Sequence, residues 1–190
     1  MQQCIALMGQ SFNVSHLSPF VDVSRQKFIA ELKDEYNALI NACVIKNMPD
    51  EEIIKDIAET RVLKEIAKGI QTIQYQINTL MTTNGQSPFV TMFMWLDEED
   101  PYIEDTALLI QEILKQRLQG IKNEAGVYIT PAFPKLIYVL DENNNLSGGR
   151  FDYITELAVK CSAKRMYPDY ISAKIMRENY EGNVFTPMGK

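Results

Sequence analysis

Apolar side chains recur every three or four positions along two stretches in the first half of the chain. In the first, Phe28, Leu32, Leu39 and Cys43 keep helical spacing, and Ile29, Tyr36 and Ile40 widen the stripe. This predicts a helix from Pro19 or Ser24 to Lys46, with Cys43 as a small core residue. Asn47 to Pro49 break it, and the acids Asp50, Glu51 and Glu52 suit the positive end of a second helix running towards Met81. Along that helix Ile66, Ile70, Ile73, Ile77 and Leu80 alternate steps of four and three, a heptad-like seam. Such a seam is either a core contact or a subunit interface.

The period then changes. Thr82 to Gln86 reads as a turn, with Asn84-Gly85 able to supply positive φ angles. Ser87 to Leu96 is apolar at successive positions, as in a strand buried on both faces. Ile103 to Gln119 returns to helical spacing through Ile103, Ala107, Ile110, Leu114 and Leu118, with acids in its first turn, Lys115 and Arg117 near its end, and Gly120 to stop it. Lys135–Leu140 is a second strand. Strand, helix and strand in this order predict a βαβ unit with parallel strands. A helix from Tyr153 to Arg165 follows, with Ile154, Leu157, Ala158 and Cys161 on its inner face, and then a short helix from Ser172 to Asn179. Residues 11–23 read as a loop. Residues 1–10 read as the tail of an element that begins before Met1, since an apolar segment without a cap rarely opens a domain. The fold class is α/β.

Composition narrows the function classes. The chain has 190 residues, 46% of them hydrophobic, and a net charge of −6. The acidic balance argues against a general nucleic-acid surface. No apolar run approaches the ~20 residues that span a bilayer, and the first residues lack a signal-peptide pattern, so a cytoplasmic protein is expected. The three cysteines, Cys4, Cys43 and Cys161, are widely spaced, which suits neither a disulfide framework nor a zinc site. The one histidine, His16, reads as structural or exposed rather than catalytic. The run Asp97 to Asp100 reads as a solvated loop, not a metal site.

The candidate chemistry lies in the last third. Lys164, Arg165, Tyr167 and Asp169 sit in a loop after the helix, where cations and an aromatic ring suit an anion-bearing ligand or merely a helix C-terminus in solvent. Asn84, Gln86 and Ser87 stand at the strand entrance, able to hydrogen-bond a substrate or to satisfy their own turn. Neither a GxGxxG nor a Walker pattern is present.

Several blocks carry a resemblance. FDYITELAVKCSAKRMYPDYIS (from Phe151), TPAFPKL (from Thr130), YQINTLMTTNGQSPFVT (Tyr75 to Thr91) and the terminal TPMG occur in one order. Together they resemble the anaerobic, class III ribonucleoside-triphosphate reductases from about Met8 to Gly189. The resemblance implies a portion of a ten-stranded α/β barrel of the glycyl-radical type. It also implies a homodimer, deoxynucleoside-triphosphate effectors, a radical S-adenosylmethionine activase, and formate as the usual reductant. Lys27 falls on an effector-contacting lysine, whose charge would pair with a triphosphate.

In that family the radical cysteine of the finger loop directly follows the block matched by Thr186, Pro187, Met188 and Gly189. Lys190 stands next here. The glycyl radical, zinc and ATP belong to parts of such enzymes outside this chain, and none of its three cysteines falls on a radical position. The expectation is therefore a fragment of one catalytic barrel, inactive alone, with unpaired strand edges that favour association. The competing expectation is a small α/β nucleotide-binding module that dimerises through the seam.

Overall fold

The computed structural model describes residues 10–79, 89–145 and 147–186. Four strands form one sheet: β1 (Gln10–Asn13), β2 (Val90–Met94), β5 (Lys135–Leu140) and β6 (Asp169–Ser172), in that spatial order. All three pairings are parallel, so every connection crosses over through helices. Helices α1 (Ser18–Asn41) and α2 (Glu51–Thr79) join β1 to β2, and α3 (Ile103–Gln119) leads from β2 towards β5. Between α3 and β5 lies a small antiparallel hairpin, β3 (Ile121–Lys122) with β4 (Tyr128–Ile129). The single turn α4 (Glu142–Asn145) and α5 (Asp152–Arg165) join β5 to β6, and α6 (Ala173–Asn179) follows. The α/β class and the parallel βαβ unit stand as the sequence predicts.

Alternation along the strands sorts the core into two layers. Met92, Met94, Leu136 and Tyr138 face α2, α3 and α5 in the main core. Phe93, Ile137 and Val139 face the other way, where Ala173 of α6 and the half-buried Trp95, Ile171 and Val184 cover them. Both faces of β2 are buried, which explains why apolar residues stand on both of them.

The seam on α2 is a core contact. Ile66, Ile70 and Ile77 belong to the main core and Ile73 packs against it; Leu80 lies outside the described residues. Dimerisation through a free seam loses its basis. Further along the helix pair, Leu32, Ile54 and Ala58 make a small separate core. Arg25 of α1 ties the three helices together: Nε donates to Glu59 on α2 at 2.8 Å and NH2 to Asp105 on α3 at 2.5 Å. These partners hold its guanidinium more firmly protonated than usual.

Four expectations need correction. The predicted loop 11–23 contains β1 and the start of α1, because a four-residue edge strand has too few positions to show alternation. α1 ends at Asn41, not Lys46. Cys43 is exposed in the left-handed region at φ 57°, not in the core, because the helix has already ended. The loop expected after α5 contains β6, whose Asp169 and Tyr170 are exposed on the sheet edge. Cys161 is fully buried, as expected, and burial pushes its thiol up.

Candidate functional site

In open parallel sheets, ligands gather outside the carboxyl ends of the strands. There this chain has a cavity of about 630 Å³ between the loop after β2, the turn after β5, and α6. Asp141, the residue after β5, is its centre. Asn144 fixes the turn: its Oδ1 accepts from the Asp141 N–H and its Nδ2 donates to the Val139 carbonyl. Arg177 on α6 grips both Asp141 oxygens, at 2.9 and 2.6 Å, and Trp95 Nε1 donates to Oδ2 at 3.2 Å. Burial alone would raise the Asp141 pKa, but the arginine, the indole and the Glu142 N–H together hold it below the ordinary carboxylate range.

The tail reaches this cavity by folding back. Glu181 and Gly182 turn at positive φ, Tyr180 and Phe185 stack edge to face at 4.8 Å, and Val184 lands on the Phe93, Ile137, Val139 layer. Thr186 follows, half-buried. Pro187, Met188 and Gly189, expected with Thr186 to flank a finger loop, lie outside the described residues. So do Asn84, Gln86 and Ser87.

Lys27 is on the exposed side of α1, with Glu31 one turn away at 3.7 Å. Asp97 and Asp100 do local work: Asp97 Oδ1 accepts from the Glu99 N–H, and Asp100 accepts from the Tyr102 N–H and the Thr106 hydroxyl. His16 is exposed. Among the described residues, no three His, Cys, Asp or Glu side chains converge as a metal site. They offer no fit for zinc.

At the amino ends of the strands, Lys164, Arg165, Tyr167 and Asp169 do come together, around a depression of about 470 Å³ shared with Thr130 and Lys135. Arg165, however, is already engaged. Its Nε donates to the Leu118 carbonyl at 3.0 Å and NH2 donates to that of Gln119, which satisfies the end of α3.

The burial of two polar residues escaped the sequence reading. Arg117 is completely buried, donates to the Pro131 and Pro134 carbonyls, and lies 5.2 Å from the Tyr167 ring centre. Desolvation lowers its pKa. Gln74 interrupts the buried seam between Ile70 and Ile77 and is itself only 7% exposed. A polar residue inside an apolar period was its visible signal.

A family profile for "Anaerobic ribonucleoside-triphosphate reductase" matches residues 2–189. The chain belongs to this family. It is similar to the anaerobic ribonucleoside-triphosphate reductase of Haemophilus influenzae, 34% identical over 82% of the chain. The enzyme of that name from Enterobacteria phage T4 is 40% identical over 62% of the chain, and that from Escherichia coli K12 is 34% identical over 91%. These matches cover 19%, 18% and 21% of the respective relatives. The chain thus spans about a fifth of their length.

Proposed function

We propose that this chain serves as part of the catalytic barrel of an anaerobic ribonucleoside-triphosphate reductase. In this reading the Phe93, Ile137, Val139 face is the inner wall of a ten-stranded barrel. The Tyr180–Thr186 tail delivers the finger loop along that wall. Val184 seated on the inner layer, two residues before the family's TPMG block, is the observation that carries it.

In this reading the whole reaction replaces the ribose 2′-hydroxyl by hydrogen: the hydroxyl leaves as water, and formate, oxidised to carbon dioxide, supplies the two electrons. Glycyl-radical chemistry initiates it when the activase has generated the radical. This chain's own residues hold the wall and the loop entrance. The Arg177–Asp141–Trp95 cluster fixes α6, and α6 fixes the turn from which the tail departs. Asn84, Gln86 and Ser87 would meet substrate, and Lys27 on exposed α1 would meet an effector triphosphate at a homodimer contact. The chain alone would not turn over. A cytoplasmic site suits it, and no described helix is long and apolar enough to cross a membrane.

The test is a segment exchange. Residues 2–189 replace the matching stretch of the Escherichia coli relative, and the chimera is activated and assayed without oxygen for deoxynucleoside triphosphates. Formation of product supports the reading. A folded, activated chimera that reduces nothing, while the parental enzyme does, counts against it.

A further inference from the structure

The sheet carries unlike charge at its two ends. Its four strands are parallel, so their amino ends share one side and their carboxyl ends the other. Lys135 opens β5 and Asp141 follows its last residue, which sets the two sides roughly 20 Å apart at ~3.3 Å per residue. Exposed charges are screened over ~8 Å at physiological salt, so neither side neutralises the other within one molecule.

The amino side is basic. Lys135, Lys164 and Arg165 line its depression together with one carboxylate, Asp169. None of the three cations forms an ion pair among the described residues. Arg165 donates to the Leu118 and Gln119 carbonyls and to the Thr130 hydroxyl, all uncharged, so its charge stays uncompensated. Arg117 adds a positive charge behind the wall: its acceptors are also carbonyls, and the Tyr167 ring of the depression lies 5.2 Å from it. Met166 stands out from this surface, 86% exposed at φ 61°, an apolar knob among cations.

The carboxyl side is acidic. Beyond the Arg177–Asp141 pair, Asp97, Glu98, Glu99 and Glu142 line the cavity there. Arg150 reaches Glu98 at 3.9 Å, but Glu99 and Glu142 are exposed and pair with no cation among the described residues. The chain as a whole carries a net charge of −6, so the basic depression is a local inversion. A long polyanion would run from it onto acidic surface and be repelled. A short acidic loop would not.

We propose that a second copy of this chain supplies that loop: its residues 97–100 and Glu142 seat on Lys135, Lys164 and Arg165 of the first copy, beside Met166. Every copy carries both surfaces at opposite ends, so the contact is head-to-tail and repeats from copy to copy. Exposed ion pairs each contribute little, so the contact forms at high protein concentration and dissolves in salt. No residue of α1 or α2 lines either surface, so the contact is separate from the helix pair and from Lys27. The proposal stands whether or not the reductase reading holds.

The test is sedimentation velocity of the full chain from about 10 μM to about 1 mM, in about 50 mM and about 500 mM salt. In low salt the wild type should pass from monomer to a growing series of larger species, and high salt should weaken the association at least about tenfold. Lys135→Gln with Lys164→Gln removes the basic end, and Glu99→Gln with Glu142→Gln removes the acidic end. Each double variant alone should stay monomeric. An equimolar mixture should give dimers and nothing larger, because one intact basic end meets one intact acidic end and the other two ends are neutralised. Lys27→Ala should associate as the wild type does. The salt series and Lys27→Ala need neither double variant, and they decide the matter should one fail to fold. A wild type that stays monomeric, association indifferent to salt, self-association of either double variant, a mixture that stays monomeric or grows past dimers, or loss in Lys27→Ala would each overturn the proposal.

Discussion

The Arg165 guanidinium occupies the space a side chain on Gly120 would need: an added Cβ would stand 2.7 Å from its NH2 atom and 2.5 Å from the Ile129 carbonyl oxygen. Gly120 also holds φ 84° and ψ −177°, a conformation only glycine adopts readily. One small residue thus lets α3 end, the hairpin begin and Arg165 reach the last α3 carbonyls. Gly120→Ala is expected to cost about 3 kcal/mol. Thermal unfolding should show a fall of about 10 °C.

Arg25 joins α1 to α2 and α3 through Glu59 and Asp105, and the Asp105 side chain is only 9% exposed. Removing the cation leaves that carboxylate buried without its main partner. Arg25→Ala should therefore cost about 2 kcal/mol, read as a lower urea midpoint. Arg25→Ala with Asp105→Asn should recover part of the loss.

Asp141 has a folded pKa held below its ordinary value. A depressed carboxylate contributes stability above its unfolded pKa, and that contribution disappears as pH falls through the folded one. The Arg177–Asp141 pair should thus hold α6 at neutral pH and weaken on acidification below about pH 4. Arg177 is partly exposed, so solvent screening limits the effect to about 1 kcal/mol. Asp141→Asn should lower stability at pH 7 and flatten the acid limb of the stability profile.

Among the described residues no carboxylate pairs with Arg117; its fork serves two backbone carbonyls in the Pro131–Pro134 loop. A lysine ammonium cannot hold both in the same geometry. Arg117→Lys is expected to destabilise by about 2 kcal/mol and to raise amide exchange in the β3–β4 hairpin.

Lys27 faces solvent, so Lys27→Ala should leave stability within about 0.5 kcal/mol. Under the reductase reading it should weaken deoxynucleoside-triphosphate binding by about tenfold, measured in the protein that carries the effector site. Unchanged affinity would remove Lys27 from that site.

Periodicity made the helices legible. α3 runs from Ile103 to Gln119 as its apolar spacing and Gly120 indicate, and Cys161 sits where the inner face of its helix puts it. Short edge strands were not legible. β1 and β6 have four residues each and, among the described residues, one neighbouring strand each, so little burial pattern marks them. Cys43 shows the limit of extrapolating a stripe: the spacing continues after the backbone has left the helix.

The sites were legible in a different measure. The cluster Lys164, Arg165, Tyr167 and Asp169 is real as a place, but Lys135 joins it from β5, a contact that depends on sheet order. Arg165 reads as a free cation in sequence and is a helix cap in space. Asp141 and Arg177 carry no signal in the sequence, because their pairing needs α6 to fold back over β5.

The sheet also sets an order of assembly. β1 joins β2 by pairing Gln10 with Val90, across the whole α1–α2 excursion. Closing so long a span costs chain entropy before any ladder bond repays it. The α1–α2 hairpin, built from contacts nearer in sequence, can form before that closure. Pulse-labelled hydrogen exchange should find α1 and α2 protected before Ser11 and Phe12, so that the first strand of the sheet is the last to acquire its hydrogen bonds.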